Sequence, residues 1–156
     1  MTPAIRLLKR EAIPHEVLQY THDPKVAAYG EEAVKALGLA PGSVFKTLLA
    51  QLDDGRLVVA LVPVMATLDL KGLAKAAGAR KAKMADPMLA ERTTGYVVGG
   101  ISPLGQRKRL PTFVDDSAHA LSSLHVSGGR RGLEICLAPM ALIDLLEATT
   151  APLTRA

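Results

Sequence analysis

Two β-rich runs joined by a tight turn constrain this chain most: Val44 to Leu52, then Asp53-Asp54-Gly55, then Arg56 to Val62. Asp-Gly suits the positive φ angles of a hairpin turn, and the flanking residues are largely apolar or β-branched. An isolated hairpin is marginal in water, so the rest of the chain must cover it. Helical segments are available for this. Thr2-Pro3 supplies a capping hydroxyl and a first-turn proline ahead of Ile5, Leu7, Leu8 and Ala12, and Pro14 ends the stripe. Glu31 to Leu37 reads as a helix closed by Gly38, and Leu68 to Ala77 as one closed by Gly78. Asp86-Pro87 opens another that stops before Gly95, and Pro139 opens a C-terminal helix with Leu142, Ile143, Leu145 and Leu146 on its apolar side. His15 to Tyr20, Tyr96 to Val98, Thr112 to Val114, Leu124 to Ser127 and Leu133 to Leu137 read as further short strands. Helices and strands do not alternate regularly, and no repeat or linker divides the chain. These features predict an α+β fold and one domain over residues 1–156.

Composition narrows the function. With two Phe, three Tyr and no Trp, the core must be built from Leu, Val, Ala and Ile. A protein that stacks many bases on aromatic rings would carry more of them. The lone Cys136 excludes an intramolecular disulfide framework and fits a reducing compartment. The first residues do not form a signal peptide, and no apolar stretch approaches the roughly 20 residues that span a bilayer. The expectation is a cytoplasmic protein with no membrane partner. The net charge is +4, but ten of the nineteen cations fall in three short segments. These are Lys71, Lys75, Arg80, Lys81 and Lys83; the run Arg107-Lys108-Arg109; and Arg130-Arg131. Such segments suit a polynucleotide backbone, although solvated faces would account for the charge equally simply.

The common catalytic constellations are missing. There is no His-Glu-x-x-His or Cys-x-x-Cys, and His15, His22, His119 and His125 lie far apart, so neither a metal nor a cofactor is expected. Cys136 alternates with Leu133, Ile135 and Leu137, a pattern typical of a small buried side chain. Gly100 to Gly105 has the glycine spacing of a phosphate loop, but Gln106-Arg107 stands where such a loop needs Lys and Ser or Thr. Gly128-Gly129-Arg130-Arg131-Gly132 likewise fails the dinucleotide-binding pattern. Glycine turns at strand ends have two readings: bare backbone N–H groups that a ligand can approach, or simple tight turns. The other unusual feature is Lys46, inside Val44-Phe45-Lys46-Thr47-Leu48-Leu49. An exposed edge lysine is its plainest explanation.

Three segments taken together resemble the motifs of the YbaK/EbsC family. They are Phe45 to Leu49, Gly95 to Gly105, and Val126 to Gly132; Tyr20 to Pro24, Lys35 to Leu39, Leu68 to Lys71 and Met84 to Pro87 add support along nearly the whole chain. These families of trans-acting editing factors are related to the inserted editing domain of bacterial prolyl-tRNA synthetases, and the chain looks most similar to the branch that clears cysteine. The resemblance implies a curved, barrel-like mixed sheet flanked by helices. It implies removal of cysteine from mischarged tRNA(Pro), an error that arises because near-isosteric side chains differ by only about 1–3 kcal/mol in binding. It makes Cys-tRNA(Pro) the partner and prolyl-tRNA synthetase a second one, with Lys46 the principal functional residue. The turn Gly99 to Ser102 would line the pocket, and the N–H groups of Gly100 and Ile101 would serve the ester carbonyl oxygen. Tyr20, Phe45, Ser127 and Gly128 would form its walls. Lys81, Lys83, Arg107, Lys108, Arg109 and Arg130 would bind the tRNA backbone. In this family the substrate's own thiol is thought to attack its ester, which releases a thiolactone. A hydrolytic deacylase for another small amino acid, or a non-catalytic module that binds tRNA or a synthetase, remain the alternatives.

Overall fold

The run Leu-Val-Val-Ala-Leu-Val-Pro forms strand β3 (Leu57–Pro63), and both of its faces are buried. Val59 and Leu61 join one apolar cluster, while Val58, Ala60 and Val62 join another on the opposite face. A strand covered on both sides needs an unbroken apolar run, which explains its composition. The computed structural model in which these contacts are seen describes residues 1–25 and 29–155.

The expected hairpin pairs β3 with β2 (Phe45–Leu52), with Phe45 opposite Pro63 and Gln51 opposite Leu57. On its other edge β3 runs parallel to β6 (Thr112–Asp115), which in turn runs parallel to β9 (Thr149–Ala151). Strand β5 (Ala82–Met84) adds antiparallel to β2, giving a mixed sheet in the order β5-β2-β3-β6-β9. A second, antiparallel sheet has the order β1-β8-β7, from β1 (Glu16–Gln19), β7 (Leu124–Ser127) and β8 (Leu133–Leu137). A parallel bridge between Val44 and His125 joins the two sheets. The barrel-like wall is thus two sheets meeting at one bridge, and not a closed ring of hydrogen bonds among the described residues. A separate short pair unites β4 (Thr67–Leu68) with β10 (Thr154–Arg155).

Helix α1 (Pro3–Arg10) begins where expected, with the Thr2 hydroxyl accepting the Ile5 N–H, and buries Ala4, Ile5 and Leu8 in the first cluster. Leu142 and Ile143 of α5 (Pro139–Leu146) complete that side. Leu73 of α3 (Leu70–Ala76) covers the second cluster. Asp69 caps α3, so Leu68 belongs to β4 and not to the helix. Helix α2 (Tyr29–Leu37) precedes the hairpin. The Asp86 carboxylate accepts from the Met88 and Leu89 N–H groups to start α4 (Pro87–Thr94). Gly95, at φ 82°, ends that helix in the left-handed region that favours glycine.

The segment after Gly95 departs from expectation. Tyr96 to Val98 is not a strand, because its backbone groups are satisfied locally. The Val98 N–H donates to Glu91 Oε2 at 2.7 Å, and the Gly100 N–H closes a turn on the Val97 carbonyl at 2.9 Å. Gly100 also packs directly on the neighbouring turn: a Cβ there would lie 2.6 Å from Arg130 Cα. No side-chain rotation relieves a clash with backbone, and overpacking of this kind typically costs about 1–3 kcal/mol. Gly100→Ala is therefore expected to lower the denaturation midpoint measurably. A melt superimposable on wild type would show that the two turns separate easily.

Candidate active site

A cavity of about 490 Å³ opens where β2, the start of α2, the turn after α4 and the second sheet converge. Much of its wall is apolar, including Phe45, Leu48, Val64 and Ile101, and a few polar groups project from it. Strand geometry places them. In β2, residues alternate between the two sheet faces, and Lys46 and Thr47 both border the cavity where the strand begins. The Lys46 ammonium is half-buried and donates to the Ala66 carbonyl at 2.8 Å. Burial holds its pKa below the ordinary 10.5, partly offset by the nearby Glu31 carboxylate. The Thr47 Oγ1 atom is buried without a hydrogen-bond partner among the described residues.

Tyr20 stands just beyond β1, its N–H donating to the Gly132 carbonyl at 2.9 Å. Burial raises its phenol pKa, with the Glu134 and Glu32 carboxylates adding to the effect. Behind it, Glu32 ties three segments together. His22 Nδ1 lies 2.8 Å from Glu32 Oε1, the Asp23 N–H donates to Oε2 at 2.9 Å, and Arg131 approaches Oε1 to 3.8 Å. Burial works to raise the Glu32 pKa, but the Asp23 and His22 hydrogen bonds and the Arg131 charge together hold it below the ordinary 4.5.

Of the residues singled out from the sequence, Tyr20, Phe45, Lys46, Gly99, Ile101, Ser127 and Arg130 border this one cavity. Three others lie behind its wall. The Gly100 N–H, expected to face a carbonyl oxygen, is committed to Val97. Ser102 is fully buried and its Oγ accepts the Leu104 N–H, so it shapes the turn. Gly128 is buried beneath Leu133, donates its N–H to the Leu133 carbonyl, and accepts the Thr2 hydroxyl at its own carbonyl. The turn is braced further by the Tyr96 hydroxyl, which donates to the Leu104 carbonyl at 2.6 Å and is pushed up to about 12 by burial.

The cationic segments divide. Arg130 borders the cavity, and exposed Lys83 directly precedes Met84, another wall residue. The Arg107 side chain lies over Gly95, close to the turn. Lys81 and Lys108 are exposed, and their backbones are used in structure, at Asp53 and Thr93. Arg109 pairs with Glu147 at 3.0 Å, beyond the end of α5. Sequence reasoning did not place Thr47 on the cavity wall, read Arg131 only as part of a cationic segment, and above all missed Glu134, an acid set among Leu133, Ile135 and Leu137 in a strand remarked on for its cysteine. Among the described residues, no three His, Cys, Asp or Glu side chains cluster as metal ligands, and no helix is long and apolar enough to cross a membrane.

A small α+β domain whose two sheets enclose a cavity with one lysine and several hydroxyls has the form of a binding or catalytic module for small polar groups. The chain belongs to the aminoacyl-tRNA editing domain family, which residues 23–145 match. It is 36% identical, over 98% of its length and 93% of the relative's, to an Enterococcus faecalis protein provisionally named Cys-tRNA(Pro)/Cys-tRNA(Cys) deacylase EbsC. Two solved structures share the fold. One, provisionally described as a trans-editing enzyme for prolyl tRNA synthetase, superposes with TM-score 0.85 at 24% identity over 100% of this chain and 99% of that one. The other, the hypothetical protein APE2540, superposes with TM-score 0.87 at 21% identity over 99% and 100%.

The Glu32 junction yields a pH prediction. A carboxylate whose folded pKa is depressed stabilises the fold above its unfolded value and loses that contribution as pH falls through the folded value. The stability advantage of wild type over Glu32→Gln should therefore be present above about pH 4.5 and shrink below it. Denaturant titrations at several acidic pH values would check this; a gap independent of pH would remove Glu32 from the acid response.

Proposed function

We propose that this protein is a trans-acting deacylase that removes cysteine from mischarged tRNA(Pro) in the cytoplasm. The observation that carries the reading is the position of Lys46: a partly desolvated ammonium on the wall of an otherwise largely apolar cavity. Family membership and the provisional name of the Enterococcus faecalis relative support it.

An aminoacyl ester is already activated, and a cysteinyl ester carries its own nucleophile. In the proposed reaction the thiol sulfur attacks the ester carbonyl carbon. A C–S bond forms, the bond from that carbon to the ribose oxygen breaks, and the thiol proton ends on the ribose oxygen. The products are tRNA with a free ribose hydroxyl and cysteine thiolactone. Tethering gives the thiol a high effective concentration, so the protein need only hold the bent conformer and stabilise the oxyanion. Lys46 positions the terminal ribose or phosphate by charge, exchanging its Ala66 carbonyl for the ligand. Ile101, on the cavity wall, presents the N–H for the carbonyl oxygen; Gly100 is not used, since its own N–H already has a partner.

In single-turnover assays with Cys-tRNA, Lys46→Ala should lose on the order of 10²–10³ in rate while melting normally, and Cys136→Ser should keep the wild-type rate. Unchanged turnover in folded Lys46→Ala would end the assignment. Rapid quenching identifies the product: thiolactone supports attack by the substrate thiol, while direct formation of free cysteine points to water.

The tRNA body is held by phosphate contacts from Lys83, Arg107 and Arg130 around the cavity mouth. Each lost contact should reduce the log–log salt slope of tRNA affinity by about one. Neutralising Arg109, which is occupied by Glu147, should change it less. Identical slopes for all four variants would mean that a partner, for which prolyl-tRNA synthetase is the natural candidate, delivers the tRNA.

A further inference from the structure

The reaction above leaves a buried acidic wall residue without a role. Glu134 lies in β8 between Leu133 and Ile135, both of which pack in the first apolar cluster, and its own side chain borders the cavity. It is only 6% exposed, and its Oε2 has no hydrogen-bond partner among the described residues. Burial alone pushes its pKa up to about 8. Buried carboxyl groups are normally satisfied, and one that is not, at the wall of a cavity, points to a ligand that satisfies it.

The surroundings indicate which ligand group. Ser127 stands directly opposite Glu134 in the β7–β8 register, so the two side chains leave the sheet on the same face. The Ser127 Oγ already accepts the Gly129 N–H at 3.2 Å, and Thr47, also on the cavity wall, contributes a hydroxyl oxygen without a partner among the described residues. Burial keeps the Glu134 carboxyl largely protonated at neutral pH until a ligand binds; beside a cation it ionises, and with the two hydroxyls it then suits a group with several N–H donors and a positive charge. The charged and titratable groups that share the cavity are Lys46, Glu31, Arg130, Arg131 and Tyr20; Glu32 and His22 lie behind Arg131, while Glu16, His125 and Cys136 occupy the next positions on the three strands. An aminoacyl ester carries one cation next to its reacting carbonyl, the α-ammonium.

We infer that Glu134 anchors the α-amino group of the aminoacyl ester, so that the site accepts esters with a free amino group and excludes those whose nitrogen is acylated, such as formylated or peptidyl esters. This rests on the deacylase reading and adds to it a specificity that would spare initiating and elongating chains. An amide nitrogen carries no charge to satisfy the carboxylate, and its acyl group must fit where Glu134 and Ser127 already stand.

The test compares Cys-tRNA with N-acetyl-Cys-tRNA, which keeps the thiol and the ester, on wild type, Glu134→Gln and Glu134→Asp. Wild type should favour Cys-tRNA by about 100-fold in kcat/KM, the loss typical when one partner of a buried charge pair is removed. Glu134→Gln should lose about that factor on Cys-tRNA and little on the acetylated ester, so the preference collapses; Glu134→Asp should restore part of it. A merely structural role would lower both substrates together and leave the preference intact, which would overturn the inference. Equal rates for both esters with wild type would overturn it without needing any variant to fold, and leave the deacylase reading standing. Failure of wild type to deacylate Cys-tRNA at all would overturn both.

Discussion

The antiparallel pairing of β2 with β3 is the constraint on which the remaining structure depends. Strand β3 is apolar on both faces and occupies the middle of the five-stranded sheet, so its position is dictated by burial from two sides. Pairing from Phe45 opposite Pro63 to Gln51 opposite Leu57 then leaves β2 no freedom of register. A slip of one residue would send Lys46 to the opposite face and turn Phe45 and Leu49 out of the core. Lys46 is thus aimed by core packing several residues away, and not by a flexible loop.

The electrostatics of the cavity follow from the same architecture. Lys46 is partly desolvated and satisfied by a backbone carbonyl, with Glu31 the carboxylate that acts on it. Glu134 enters from the other sheet and is governed by burial alone. Burial thus disfavours the charged form of both groups in one cavity, and Glu134 stays largely protonated at neutral pH until a cation binds beside it. A ligand with a cationic amine at one end and an anionic backbone at the other would satisfy both, which is the charge distribution of an aminoacyl-tRNA terminus.

What was readable in the chain had local causes. The Asp-Gly hairpin, the Thr2 and Asp86 caps and the stop at Gly95 each depend on a few neighbouring residues, and all stand where expected. Strands β4, β5, β9 and β10 escaped because two or three residues carry no period, and their partners are remote in sequence. Tyr96 to Val98 looked like a strand from its side chains, yet Glu91 and a turn took its backbone groups. The site divides in the same way. Lys46 was visible as a charge in an apolar run, and Glu134 offered the same signal in β8 but was passed over. Gly100 and Ser102 could not be sorted into wall and scaffold from sequence, because that depends on the Arg130 backbone lying against one and the Leu104 N–H against the other.

The division of labour between strands and turn has a consequence for how such a protein can diverge. The turn after α4 is locked by backbone contacts and a buried tyrosine, so it tolerates little change. The polar groups facing the cavity sit on or beside strands, whose ladders are indifferent to the side chains they carry. Single substitutions at positions 47, 127 or 134 therefore change the polar lining of the cavity while the backbone stays as it is. A different cavity chemistry is thus one codon away, reachable without passing through an unfolded intermediate in evolutionary time.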